Sequence, residues 1–281
     1  MKRARSSVTA WTNGISETLQ KLVVTVLCVH RSLDGPPRGQ AAFHTTRWSL
    51  IVAAATAAPK PSSGASEALA ELCQTYWYPL YAFVRRRGYD ADRATDLTQE
   101  FFATLLEKDY LADADRTRGR FRTFLLASLK NFLSNEADRA GRLKRGGGRT
   151  ILSFDTGDAE SRYHLEPAHD ITPERLYERR WALVLLDRVL SRVRDDYAAD
   201  GKAALFDALK GLLTFAPDAD TMAEAARAAG LSDGAARVAV HRLRKRYRQR
   251  LRESIADCVA SEAEVDQEIR DLFAALGAAR S

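Results

Sequence analysis

The sequence predicts an all-α fold, on three observations. Apolar residues recur at spacings of three and four in several separate segments, as they do on one face of a helix. No stretch alternates between apolar and polar residues over the length of a strand. Stretches rich in Gly, Pro and Ser separate the helical segments, and the 281 residues suffice for two small domains.

The charge of the chain is modest in total but locally concentrated. The net charge is +6 at pH 7 and the isoelectric point is about 9.3. Because Lys and Arg are bunched, their local field attracts polyanions even though the total is mild. Nucleic acid is therefore the first class of partner to consider.

Cysteine usage and hydropathy predict the compartment. Cys28, Cys73 and Cys258 are far apart and form no C-x-x-C pair, so neither a disulfide framework nor a thiolate zinc site is expected. The apolar run Leu22–Val29 has eight residues, whereas a membrane helix needs about twenty. These observations predict a cytoplasmic protein without membrane insertion.

The first predicted domain, residues 43–144, follows a flexible N-terminal extension at residues 1–42. Its first helix is capped by Ser66 and ends near Gly88. The second helix spans about Asp92–Lys108 with the apolar face Leu97, Phe101 and Leu105, and the third spans about Gly119–Arg142 with the stripe Phe121, Leu125, Leu129 and Phe132. Short connections between these helices predict one small helical domain.

A linker at residues 145–172 follows, since its glycines and prolines argue against helix. Thr172 as N-cap and Pro173 in the first turn then open a second helical domain, residues 173–255. The last segment, 256–281, is a C-terminal helical extension with a capping box, Ser261 and Glu264, and an apolar face, Val265, Ile269, Phe273 and Leu276. Packing of that face on the chain itself is favoured over docking of a regulator.

The stretch TMAEAARAAGLSDGAARV predicts a helix-turn-helix in the second domain. Gly230 allows a positive φ after the first helix, and Ser232 caps the second. The small residues Ala226 and Ala236 allow the two helices to approach closely.

The second helix continues into RVAVHRLRKRYRQRLR, where eight of sixteen residues are Lys or Arg and none is acidic. One arc of this helix is apolar and suited to packing: Ala236, Val240, Leu243, Tyr247 and Leu251. The predicted DNA contacts are Ser232 and the adjoining strip, Arg237, His241, Arg244, Lys245 and Arg248, where Arg pairs with guanine in the major groove and other cations neutralise phosphates. A solvated basic face is the alternative, although unpaired like charges would repel one another along a helix.

Two motifs in the first domain carry a family resemblance. DRATDLTQEFFATLLEKD resembles the second conserved region of bacterial RNA polymerase sigma factors, and GRFRTFLLASLKNFLSNEADRAGRLKR resembles the strand-opening and hexamer-reading segments that follow it. HTTRWSL, YWYPLYAFVRRRG, TPERLYERRWAL and VAVHRLRKRYR extend the likeness over about residues 43–276. The chain thus resembles sigma factors of the extracytoplasmic-function (ECF) type.

The ECF resemblance implies two groups of site residues in the first domain. The polymerase-docking residues are Asp96, Gln99 and Glu100, which would meet basic clamp helices of the largest polymerase subunit. The promoter-melting and near-hexamer contacts are Phe121, Arg122, Phe124, Asn131, Asn135, Arg139 and Arg142. Helical spacing leaves core packing equally open for Phe121 and Phe124.

The resulting prediction is a sigma factor that binds core RNA polymerase, recognises promoter DNA and supports transcription initiation. It includes no enzyme activity, catalytic residue, cofactor or metal site, since GRLKRGGGRT lacks the G-K-[ST] ending of a phosphate-binding loop. An anti-sigma factor or other regulator is a further partner that the family allows. The alternative is a stand-alone helix-turn-helix regulator that binds its operator without polymerase.

Overall fold

The structure of the chain, a computed structural model, describes residues 63–107, 120–142, 159–164, 171–213, 217–259 and 261–277. Within these ranges every regular element is a helix and no strand occurs. The prediction of an all-α fold is confirmed. The predicted extension at residues 1–42 lies outside the described residues.

The helices follow one another with short connections where the chain is described. They are α1 Ser63–Arg86, α2 Ala91–Glu107, α3 Phe121–Arg142, α4 Ala159–His164, α5 Pro173–Ala199, α6 Ala203–Leu209, α7 Ala219–Ala228, α8 Asp233–Ala256 and α9 Glu262–Gly277. A 3-10 turn, Lys210–Leu213, continues α6. The bounds of α2 and α3 agree with the prediction within two residues, whereas α1 begins before the predicted cap, Ser66.

The described residues form two compact units. The first unit contains the described residues between 63 and 181 and between 256 and 266, and the second contains those between 182 and 255 and between 267 and 277. The division falls inside α5, after Trp181, and inside α9, so each of these helices contributes to both units.

Aromatic side chains build the core of the first unit. Every residue from 75 to 84 is buried, so this half of α1 is covered on all sides. Tyr76 packs edge to face on Phe121, with ring centroids 5.3 Å apart, and Trp77 stacks on Tyr81 at 5.2 Å. The predicted faces of α2 and α3 are buried at Leu97, Phe101, Leu105, Phe121, Leu125 and Leu129.

A short helix, α4, lies inside the predicted linker. Its Glu160 accepts hydrogen bonds from Arg85 Nε at 2.9 Å, from Arg85 Nη2 at 2.6 Å and from the Tyr81 hydroxyl. The Arg85 guanidinium also lies 4.7 Å from the ring centre of Tyr163. The prediction that this stretch lacks helix is wrong here, because these tertiary contacts stabilise a six-residue helix that is too short to be stable alone.

The start of α5 is capped as predicted. Thr172 Oγ1 accepts the backbone N–H of Arg175 at 3.3 Å, and the helix begins at Pro173. In the first unit, the Tyr177 hydroxyl donates to the carbonyl of Arg122 at 2.9 Å. These bonds fix the first turns of α5 against α3.

The core of the second unit comes from the remainder of α5 and the helices after it. Its buried side chains include Leu186, Val189, Val193, Tyr197, Phe206, Leu209, Met222 and Leu243. The rings of Tyr197 and Phe206 lie 5.9 Å apart. In α9, the predicted apolar face, Val265, Ile269, Phe273 and Leu276, is buried, which confirms packing of that face on the chain.

Candidate nucleic-acid interface

A tight turn at residues 229–232 connects α7 to α8. Gly230 has φ 64° and donates its N–H to the carbonyl of Arg227 at 3.1 Å, while Leu231 donates to the carbonyl of Ala226 at 2.9 Å. These two bonds satisfy the last carbonyls of α7. The positive φ at residue 230 favours glycine, which has no Cβ. The prediction for Gly230 is confirmed.

Side chains cap both helices of this pair. The Asp218 carboxylate accepts the N–H of Thr221 at 2.8 Å at the start of α7. Hydrogen bonding from the Thr221 side chain, and then from this N–H, lowers the pKa of Asp218. Ser232 Oγ accepts the N–H of Ala235 at 3.4 Å at the start of α8. The predicted N-cap at Ser232 is confirmed, and the Ser232 side chain is exposed beside the helix start.

One edge of α8 is buried, as its spacing predicts. Ala236, Val240, Leu243, Tyr247 and Leu251 are each at most 5% exposed. The Tyr247 hydroxyl donates to the carbonyl of Leu186 at 3.3 Å, and burial raises the pKa of this hydroxyl. This buried edge fixes which side of α8 faces outward.

Two arginines of the basic run are ion-paired within the second unit. Arg250 donates to both carboxylate oxygens of Asp196, at 2.8 and 2.7 Å, and to Glu253 at 2.9 Å. Arg246 donates to Asp200 at 2.9 Å, and its guanidinium lies 5.1 Å from the ring centre of Tyr197. The Arg246 bond lowers the pKa of Asp200. These cations hold α8 to the end of α5.

Arg244 and Arg248, both predicted as DNA contacts, are half-buried. Arg244 donates from Nε at 3.1 Å and from Nη2 at 2.7 Å to the carbonyl of Leu212. Desolvation by burial lowers the pKa of the Arg244 guanidinium. Arg248 Nε donates to the carbonyl of Arg244 at 3.3 Å. Neither side chain is presented freely to a partner.

The side of α8 opposite the buried edge, named the outer face, consists of the exposed residues Arg237, Val238, His241, Arg242 and Lys245. With 3.6 residues per turn, the outer face is centred about 150° from the middle of the buried edge, and Val238 lies about 180° from it. Among the described residues, none of its four basic or imidazole side chains makes an ion pair or side-chain hydrogen bond. It therefore presents unneutralised positive charge to solvent.

Of the predicted DNA contacts, Arg237, His241 and Lys245 lie on the outer face, whereas Arg244 and Arg248 are half-buried beside it. The outer face also contains Arg242 and Val238, which were not among the predicted contacts. On a helix, Arg244 lies only about 60° from the centre of the buried edge, whereas Arg242 lies well beyond its rim. The sequence identifies Arg242 as an outward-facing residue by its helical position relative to Ala236, Val240 and Leu243, and not by its charge. The helical spacing of α8 gives no indication that Arg244 bonds to the carbonyl of Leu212.

An open groove of about 620 Å³ runs along one side of the outer face. Its apolar lining includes Leu205, Leu231 and Val238, and its rim includes Lys202 and Arg242. All of its lining belongs to the second unit. The groove and the outer face share Val238 and Arg242.

In the first unit, the aromatic pair predicted for DNA melting lies in or near the core. Phe121 is 3% exposed and packs on Tyr76, and Phe124 is half-buried with its ring 6.2 Å from Phe121. Of the two interpretations left open, core packing therefore describes Phe121.

Arg122, also predicted to contact DNA, is 7% exposed. Its Nη1 donates to Glu178 at 3.0 Å, and its guanidinium lies 4.8 Å from the ring centre of Trp181. A paired carboxylate and a covering aromatic face offset much of the cost of removing an arginine from water. In this structure Arg122 joins α3 to α5 of the first unit.

The remaining predicted contacts of α3 divide into two groups. Asn131 and Asn135 are exposed. Arg139 and Arg142 lie in the last turns of α3, and their side chains are outside the described part of the structure. Nearby, Lys130 Nζ lies 2.8 Å from Glu174, which lowers the pKa of that carboxyl.

The predicted docking residues share one side of α2. Asp96 is exposed, and Gln99 and Glu100 are half-buried. Leu97 and Phe101, which lie beside them in sequence, are buried. Asp96 thus offers a negative charge at the surface of the first unit.

The described residues contain no group of three His, Cys, Asp or Glu side chains that could hold a metal ion. Among the same residues, no helix has the length and apolar character to cross a bilayer. Comparison of the chain with protein-family models, with curated proteins and with solved structures gives no match.

Proposed function

We propose that the chain is a sigma-type subunit that binds core RNA polymerase, recognises promoter DNA through α7 and α8, and supports transcription initiation. The observation that carries the DNA-binding part is the outer face, where Arg237, His241, Arg242 and Lys245 are exposed and make no ion pair or side-chain hydrogen bond with any described residue. Their mutual repulsion costs stability unless a polyanion offsets it. Duplex DNA supplies that polyanion and a groove of matching width.

The local geometry of α7 and α8 supports the same proposal. A helix, a four-residue turn and a second helix with exposed cations form the arrangement in which the second helix enters the major groove. The N-terminal turns of such a helix contact base edges, and Arg237 and His241 lie in the first two turns and a half of α8. Arg246 and Arg250 stabilise α8 rather than binding DNA, because both are ion-paired.

The polymerase-binding part rests on the ECF resemblance of the sequence together with the exposed carboxylate of Asp96 on α2. An acidic surface on this helix fits a basic partner surface by charge complementarity. Near-hexamer contacts are proposed for Asn131 and Asn135, which are exposed. Arg122 would reach DNA only after its contacts with Glu178 and Trp181 are released.

The test is transcription in vitro with core RNA polymerase, using a library of promoter fragments and the full chain. We expect run-off transcripts from a defined set of promoters only when the chain is present. Footprints on those promoters, measured with and without core polymerase, tell the sigma-type subunit from a stand-alone regulator. A tight footprint that core polymerase neither strengthens nor extends would contradict the sigma-type proposal.

A matched pair of variants tests the outer face in the same assay. Arg237→Ala, Arg242→Ala and Lys245→Ala combined should abolish promoter-specific transcripts. The control combines Arg175→Ala, Arg194→Ala and Arg270→Ala, which removes three positive charges from exposed positions on other helices. Equal losses in both triple variants would show that only the total charge matters, and would contradict a recognition role for α8.

A further inference from the structure

Val238 is the one large apolar side chain that is exposed in the described part of the chain, at 50% exposure. It lies in the second turn of α8 and about 180° from the centre of the buried edge, so it is the outermost position of the outer face. Val238 lines the open groove beside Leu205 and Leu231, yet half of its surface remains exposed. A lone exposed apolar residue needs no partner by itself. What distinguishes Val238 is its place in the middle of a face that the proposed function lays against DNA.

The surroundings of Val238 restrict the kind of partner. Arg237, His241 and Arg242 are exposed around it at helical spacing, and none has an ion pair or side-chain hydrogen bond among the described residues. An apolar protein surface that covered Val238 would also desolvate these side chains, which is unfavourable without acidic partners. A surface that places methyl groups among hydrogen-bond acceptors and phosphates can contact Val238 and also bind the basic and imidazole side chains around it.

The major groove of DNA is such a surface. Thymine presents a C5 methyl there, beside acceptor atoms of the neighbouring bases, and small apolar side chains contact it. Gly234 and Ala235, exposed one turn before Val238, have small side chains and allow the start of α8 to come close to the base edges. A β-branched side chain has few rotamers, so little entropy is lost when its methyl groups are held against a base.

We infer that Val238 reads the C5 methyl group of a thymine in the promoter element bound by α8. The inference rests on the proposed function. It adds which base is recognised at one position of the DNA site. Arg237, Arg242 and Lys245 supply phosphate and guanine contacts, whereas Val238 supplies discrimination that does not depend on charge. Val238 also lines the groove beside Leu205 and Leu231, and the contact with thymine uses the exposed part of this side chain.

The experiment begins with selection of duplexes from a random library by the full chain, alone and in complex with core RNA polymerase. In the selected duplex each thymine is then replaced in turn by deoxyuridine, which lacks only the C5 methyl. We expect one replacement to weaken binding of the unchanged protein by about fourfold, the effect of one methyl group removed from water. Val238→Ala should bind the thymine and deoxyuridine duplexes equally.

Two variants control the measurement. Val238→Thr keeps one methyl group and should retain part of the preference for thymine. Lys245→Ala should weaken binding to both duplexes by the same factor and leave their ratio unchanged. Val238→Ala should keep the helix content and melting temperature, since the side chain is exposed and Ala favours helix.

The outcomes separate the two proposals. If no duplex is selected with or without core polymerase, the proposed function fails and the inference fails with it. If a duplex is selected but no single thymine methyl affects binding, or if Val238→Ala preserves the ratio, only the inference is overturned. Equal weakening of both duplexes by Val238→Ala is one such result, and would show that Val238 contributes to DNA binding without contacting a thymine methyl.

Discussion

Arg244 is joined to Leu212 by two hydrogen bonds, from its Nε and Nη2 atoms to one carbonyl oxygen at 3.1 and 2.7 Å. This carbonyl belongs to the 3-10 turn that continues α6, where helix carbonyls lose their regular partners. A cation of the basic run therefore completes the hydrogen bonding of the fold, only one and two residues from Lys245 and Arg242, which face outward.

Arg244→Ala and Arg237→Ala should consequently have different effects. Arg244→Ala should lower the free energy of unfolding by about 2 kcal/mol, because a half-buried carbonyl loses a charged donor. Arg237→Ala should change it by less than about 0.5 kcal/mol, as is usual at exposed sites, yet weaken DNA binding. Urea unfolding and DNA titration of both variants provide the measurement. If Arg237→Ala lowered stability and Arg244→Ala only weakened DNA binding, the assignment of the outer face would be contradicted.

The salt dependence of DNA binding should report which cations reach phosphate. Removing Arg242 or Lys245 should make the slope of log K against log salt shallower by about one each. Arg250→Ala should leave the slope unchanged, because Asp196 and Glu253 already neutralise this guanidinium. A shallower slope for Arg250→Ala would show that its ion pairs open in the complex.

Reversal of the charge on Asp96 should weaken binding to core RNA polymerase. Asp96→Lys is expected to reduce the affinity by about tenfold or more, because like charges would then face each other across the interface. Fluorescence titration with core polymerase measures this, and circular dichroism checks the helix content. Glu224→Lys, the same change at an exposed position of α7, is the control and should bind normally. If Asp96→Lys bound core polymerase as tightly as Glu224→Lys does, α2 would not be part of the docking surface.

The stability of the first unit should depend on the ionisation of Glu160. Hydrogen bonds from Arg85, followed by one from Tyr81, lower the pKa of Glu160 in the folded state. Its unfolded pKa is about 4.3, so the folded value lies below it. The stabilisation is therefore fully present above the unfolded pKa and is lost as the pH falls through the folded pKa.

Glu160→Gln should accordingly lower the free energy of unfolding by about 1 kcal/mol at pH 7, a value suited to a partly exposed ion pair. The difference from the unchanged protein should shrink as the pH falls below about 4.3, the unfolded pKa of a glutamate. Urea unfolding above and below this pH measures it. His164→Gln is the control for the neighbouring imidazole, whose Nε2 lies 3.3 Å from Glu160. A difference that stays constant with pH would exclude the carboxylate as its source.

Two glycines close in sequence should respond oppositely to alanine. Gly230→Ala should destabilise the second unit by about 1 kcal/mol, because φ 64° is strained for any residue with a Cβ. Gly234→Ala should stabilise it by about 0.5 kcal/mol, since Gly234 lies within α8 and a Cβ there would meet no atom within 4 Å. Thermal unfolding of both variants gives the comparison, and stabilisation by Gly230→Ala would contradict the turn geometry.

Sequence patterns predict the features of this chain that depend on neighbouring residues. The caps at Thr172 and Ser232, the turn at Gly230 and the buried edge of α8 follow from local spacing and residue type. These features involve residues within one or two turns of each other. The periodicity of the chain therefore reveals them without knowledge of tertiary contacts.

Contacts between residues distant in sequence are not predicted in this way. Glu160 stabilises α4 by pairing with Arg85, and Glu178 pairs with Arg122, across 75 and 56 residues. The ECF resemblance made Arg122 a candidate for DNA contact, and its charge agreed, because a cation has the same appearance in a sequence whether a carboxylate or a phosphate neutralises it. Only the fold identifies which cations already have an internal carboxylate.

The anchoring of α8 by Arg246, Arg250 and Tyr247 has a consequence for how the protein can diverge. These residues hold the helix in place without using any position of the outer face. Residues 237, 238, 241, 242 and 245 are therefore free to vary together, through duplication of the gene or in a randomised library, with little effect on folding. A descendant of this chain could acquire a new target sequence while it keeps the same scaffold.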